Sequence, residues 1–115
     1  MKKHKDCVDI LGVSYKIEIK NQDEMKKLSE SEIANIMFYN GLCDTNEKVI
    51  YIDESLLKTP SLYNKTLRHE CIHGAFFESG LDSQCDFATN EANVDFIALQ
   101  FPKLYNVFKD LNILD

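Results

Sequence analysis

The feature that most constrains the fold is a punctuated stretch in the middle of the chain. Thr59 can cap a helix, Pro60 fits a first helical position, and Gly80 stands where a helix closes. Between them lie about twenty residues, roughly 30 Å of helix at 1.5 Å per residue. Before this rod the pattern is β. From Val13 to Lys20 it alternates strictly, with Val13, Tyr15, Ile17 and Ile19 on one face. Ser14, Lys16, Glu18 and Lys20 take the other, as in a half-buried strand. Val8 to Leu11 can pair with it through a turn at Gly12.

Asn21-Gln22-Asp23-Glu24 and Ser29-Glu30-Ser31-Glu32 both have the form of a capping box, in which two side chains satisfy the first backbone donors of a helix. They predict helix from Asp23 to Tyr39, with a break near Ser29 and with Ile33, Ile36 and Met37 inward. Asn40-Gly41 ends it, since both residues tolerate positive φ. Leu42-Cys43 and Lys48 to Ile52 read as short strands joined by the polar turn Asp44-Thr45-Asn46-Glu47. The second of these is either a sheet edge able to add an extended peptide or an interior strand. After a loop from Leu81 to Thr89 another helix begins around Asn90. Pro102 kinks or splits it, and Leu104, Tyr105, Val107, Phe108 and Leu111 continue beyond. Strands first and helices afterwards make an α+β fold: N-terminal antiparallel strands with a helix, then the long helix packed on a C-terminal one.

A length of 115 residues predicts one domain over 1–115. With 44% hydrophobic and 28% charged residues the chain is globular. Its apolar runs are too short to cross a bilayer, and the basic start lacks the apolar stretch of a signal peptide. The net charge of −6, from 13 basic and 19 acidic residues, argues against broad binding to nucleic acid or anionic lipid. Cys7, Cys43, Cys71 and Cys85 form no C-x-x-C pair, which excludes a zinc ribbon and a thioredoxin-type site. They read as reduced thiols in a cytoplasmic protein, mostly small and buried.

His69-Glu70-Cys71-Ile72-His73 is H-E-x-x-H in the second half of the long helix. Residues four apart share a helix face, so both imidazoles can approach one ion. Glu70 is turned about 100° from His69, where a carboxylate reaches a metal-bound water instead of the metal. Catalytic zinc takes three protein ligands and one water, so a third ligand is needed. The metzincin pattern requires Gly and His where Phe76 and Ser79 stand. Glu91, eighteen positions after His73 on the next helix, is the favoured carboxylate; Glu78, Asp82 and Asp86 are rivals. Tyr39, Tyr51, Tyr63 and Tyr105 are candidate oxyanion donors, none singled out. Cys71 reads as a packed side chain, Phe76 and Phe77 as core, and His4 as a tail residue. Asp95 stands four positions after Glu91, on the same face, where it can accept the outer ring N–H of a zinc-binding histidine. Phe96 and Ile97 suggest that this stretch is partly buried.

H-E-x-x-H with Asn90-Glu91-x-x-x-Asp95 resembles the gluzincin arrangement of thermolysin-type metallopeptidases. Glu91-Ala92-Asn93, followed by Phe96 and Ala98, is similar to the ImmA/IrrE family, whose small members occur in bacteria, mobile elements and phages. The segments Gly41-Leu42-Cys43-Asp44, Phe76-Phe77-Glu78-Ser79-Gly80 and Ala98-Leu99-Gln100-Phe101-Pro102-Lys103 carry the resemblance over residues 41–103. It implies a small zincin-like, cytoplasmic zinc metallopeptidase with His69, His73 and Glu91 as Zn2+ ligands and Glu70 as general base. It also implies a protein substrate of the transcriptional-repressor kind, while the thermolysin-type pattern implies His69 as the partner of Asp95, a choice between His69 and His73 that spacing alone leaves open. The chain has no helix-turn-helix, so a link to DNA would run through a partner. The competing reading is a zinc-containing protein-binding module with little or no turnover.

Overall fold

The computed structural model describes residues 5–30 and 40–115. Strands β1 (Cys7–Ile10) and β2 (Val13–Lys20) form the expected antiparallel hairpin, with Ile10 opposite Val13. Leu11 and Gly12 both have positive φ, 51° and 89°, which gives the two-residue turn the twist of the strands it joins. The Asp9 carboxylate accepts the Gly12 N–H at 2.7 Å. Helix α1 (Gln22–Glu30) starts on the reciprocal box foreseen at Asn21 and Glu24, whose side chains accept each other's backbone N–H at 2.9 and 3.1 Å. Ser29 and Glu30 of the second box are the last residues of α1, while Ser31, Glu32, the inward positions Ile33, Ile36 and Met37, and the helix end at Tyr39 lie outside the described residues, as does His4.

Strands β3 (Gly41–Asp44) and β4 (Val49–Asp53) follow, joined by a turn in which Asp44 accepts from the N–H groups of Asn46 and Glu47. The sheet order is β1-β2-β4-β3, with β4 parallel to β2 and antiparallel to β3. Of the two readings for Lys48 to Ile52, the interior strand holds: Val49, Ile50 and Ile52 are buried, and β3 is the edge. A nearly continuous apolar run is what a strand covered on both faces requires.

Helix α2 (Pro60–Glu78) opens on Pro60 and closes before Gly80, whose φ is 80°. Thr59 does not cap it with its hydroxyl, contrary to expectation. The chain enters from a 3-10 turn at Glu54–Lys58, and Thr59 sits at φ −130°, ψ 84°, short of the extended geometry that aims a capping side chain. Tyr63, Leu67, Cys71 and Ala75, one per turn, pack on a core of Ile10, Tyr15, Ile17, Ile50, Ile52 and Leu56. Cys71 is therefore the packed side chain expected of it. Phe77 is not core: two residues past Ala75 it is turned about 200° away, exposed under the Lys48 ammonium at 4.7 Å. Phe76 is half-buried, edge-on to Phe87. The cysteines are free, but Cys7 and Cys85 are exposed and Cys43 and Cys71 only half-buried. The expectation of burial fails for the outer two because they stand at a strand end and in a loop.

Helix α3 (Glu91–Asp110) is capped by Asn90, whose side chain accepts from the N–H groups of Ala92 and Asn93. It runs through Pro102 without splitting. Val94 and Ala98 are fully buried, while Phe96, between them in sequence and opposite them on the helix, is 61% exposed. Leu104, Tyr105, Val107, Phe108 and Leu111 are exposed as well. No helix among the described residues is long and apolar enough to cross a membrane.

Candidate metal centre

The sequence places His69 and His73 one turn apart on α2, and the α2–α3 packing brings the first residue of α3 against them. His69 Nε2 and His73 Nε2 stand 3.2 Å apart, and Glu91 Oε1 lies 2.9 Å from each. Tetrahedral coordination at about 2.0–2.1 Å sets neighbouring donors about 3.3 Å apart. Two imidazoles and a carboxylate at these separations therefore fit three corners around one divalent ion and leave the fourth open. Both histidines are half-buried, whereas the Glu91 side chain is 69% exposed, so the open side faces a cleft of about 690 Å³. Among the described residues no other group of three His, Cys, Asp or Glu side chains converges this way.

Glu70 is buried on the flank of this triangle. Burial first, and the negative charge of Glu91 second, push its carboxyl up to about 8, against a downward pull from the Cys43 backbone N–H. A carboxylate so disfavoured is a strong proton acceptor. Cys43 lines the same cleft, where burial pushes its thiol up to about 12.

Asp95 stands where its spacing from Glu91 suggested. Its Oδ1 is 3.2 Å from His69 Nδ1 and accepts from the Lys65 ammonium at 2.6 Å. Lys65 first and His69 second hold its carboxyl below the usual range. The partner is His69, not His73. Lys65 was not foreseen, although the signal was present: Lys65, His69 and His73 form one i, i+4, i+8 stripe on α2.

The rival carboxylates are placed otherwise. Glu78 accepts from the Tyr15 hydroxyl and the Lys48 ammonium, both at 2.6 Å, and is held below its usual range. Asp82 lines the cleft without joining the triangle, and Asp86 lies in a 3-10 turn outside it. Of the tyrosines, Tyr51, Tyr63 and Tyr105 do not line the cleft, and Tyr39 is outside the described residues. The edge strand, by contrast, forms one wall of the cleft through Gly41, Leu42 and Cys43.

His69, Glu70 and His73 on one helix with Glu91 on the next make the H-E-x-x-H-plus-glutamate arrangement typical of catalytic zinc metallopeptidases. It sits in a compact α+β scaffold with zincin-like topology. Compared with protein-family models, curated proteins and solved structures, the chain matches none.

Proposed function

We propose that this protein is a zinc metallopeptidase of one domain that hydrolyses a peptide bond in a cytoplasmic protein. The observation that carries this reading is the triangle of His69, His73 and Glu91 donor atoms with one position open and a buried carboxyl, Glu70, at its flank. A site that only staples a fold has all four positions closed and no need of such a base.

His69, His73 and Glu91 would hold the zinc, which would supply Lewis-acid polarisation of a carbonyl and acidification of water. Glu70 would take the proton of the attacking water and pass it to the leaving amine. Asp95, anchored by Lys65, holds His69 in one tautomer with Nε2 free for the ion. The edge of β3, unpaired among the described residues and beside Glu70, orients an extended peptide by backbone pairing. The likeness of Glu91-Ala92-Asn93 and its flanking segments to the ImmA/IrrE family supports a transcriptional repressor as substrate.

Glu70→Gln tests the reading. The variant is expected to bind zinc as wild type does and to lose hydrolysis by about 10²–10⁴-fold, the usual loss on removing a general base. Proteome-wide mapping of new N-termini in cells expressing each form reads the activity. Zinc binding with no wild-type-specific cleavage would instead identify a protein-binding module.

A further inference from the structure

Pro102 lies inside α3 and has no backbone N–H, so the carbonyl four residues earlier, at Ala98, lacks its helical donor. A proline ring also crowds the carbonyl four residues before it. Ala98 is 0% exposed, so water does not replace the missing partner. Arg68 does: its Nε–H donates to the Ala98 oxygen at 2.7 Å. Arg68 directly precedes His69, and Ala98 follows Asp95 by three residues and Glu91 by seven, one and two turns along the same helix.

We propose that Arg68 is a positioning residue for the metal site. By supplying the donor that Pro102 withholds, it fixes the register of α3 on α2 and so brings Glu91 and Asp95 opposite His69 and His73. The other links across this pair near the site are carboxylate contacts of partly or largely exposed side chains. Arg68 instead grips α3 by its backbone, at a buried point, with a charged donor. Such a bond is short and directional, and breaking it leaves a buried oxygen unpaired. The consequence for zinc rests on the reading of His69, His73 and Glu91 as ligands; the helix register does not.

Four proteins decide the matter: wild type, Arg68→Met, Pro102→Ala, and the double variant. In metal-free protein, Arg68→Met is expected to speed amide exchange across residues 91–98. It should also weaken zinc about 10-fold in a chelator competition, as loss of an outer support does. The visible d–d spectrum of its cobalt-loaded form should change, because Glu91 no longer closes on the ion as before. Pro102→Ala should resemble wild type. The double variant should recover exchange protection, affinity and spectrum, since residue 102 now gives Ala98 its own N–H. Unchanged behaviour in Arg68→Met, or a defect that Pro102→Ala does not relieve, would overturn the proposal. If Arg68→Met alone does not fold, a folded double variant supports it and an unfolded one overturns it. A wild type that binds neither zinc nor cobalt would sink the metal reading, while the exchange comparison still decides the role of Arg68.

Discussion

Gly41 lies directly on Glu70. A Cβ at position 41 would stand 3.1 Å from Glu70 Cγ, 3.2 Å from its Oε2 and 2.9 Å from Thr66 Cγ2. The edge strand can approach α2 this closely because it has no side chain there, and the approach brings the Cys43 N–H to the Glu70 carboxyl. Gly41→Ala should therefore push Glu70 or the strand aside while leaving the three donor atoms in place. We expect hydrolysis to fall by about 10–100-fold, the scale of a displacement of about 1 Å at a reacting group. Zinc affinity should stay within a few-fold of wild type. Parallel cleavage and zinc titrations check this, and equal losses in both would show that the strand supports the ligands instead.

Stability without metal should depend on Glu70. Its folded carboxyl, at about 8, lies above the ordinary 4.5, so the folded state holds a proton that the unfolded chain releases. The stabilisation is complete below about 4.5 and is lost as pH rises through about 8. Glu70→Gln, which does not titrate, should gain on wild type between pH 5 and pH 9. The gap in Tm should widen by at least about 4 °C, the response of a small domain to about 1 kcal/mol. Thermal unfolding in chelator at the two pH values measures it, and a constant gap would refute the assignment.

Asp95 and Lys65 should act as a graded pair. Asp95→Asn replaces the charged acceptor for His69 with a weaker, neutral amide oxygen and should weaken zinc by about 10–100-fold. Lys65→Met leaves Asp95 in place but frees it to rotate, so its effect should be smaller and in the same direction. Competition titrations rank the two. A larger loss in Lys65→Met would mean that the lysine itself meets the ligand set.

The site was more legible in the sequence than the layers around it. His69, His73 and Glu70 are fixed by helical spacing alone, and the position of Glu91 follows from two helices joined by a loop. Asp95 followed from Glu91 by one turn. What spacing does not encode is contact across the chain. The pairing of Lys65 with Asp95, of Arg68 with the Ala98 carbonyl, and of Tyr15 with Glu78 sixty-three residues away depends on how elements dock. Strand order is of the same kind: Leu42 and Tyr51 read alike as short β segments, yet one lies on the edge and the other inside. Phe77 is exposed although Phe76 beside it is half-buried, because a helix turns each residue about 100° from the last.

Helix α3 is continuous in its path and discontinuous in its anchorage. Its buried residues, Val94 and Ala98, all precede Pro102, and every residue from 103 onward is exposed. Local unfolding follows such differences in burial, so the two halves belong to different tiers of stability. The last turns can melt and reform while Glu91 and Asp95 keep their places. The boundary between the tiers falls where the proline breaks the chain of backbone bonds and Arg68 takes over its missing end. The ligand-bearing half is thereby insulated from fraying of the exposed turns beyond Pro102.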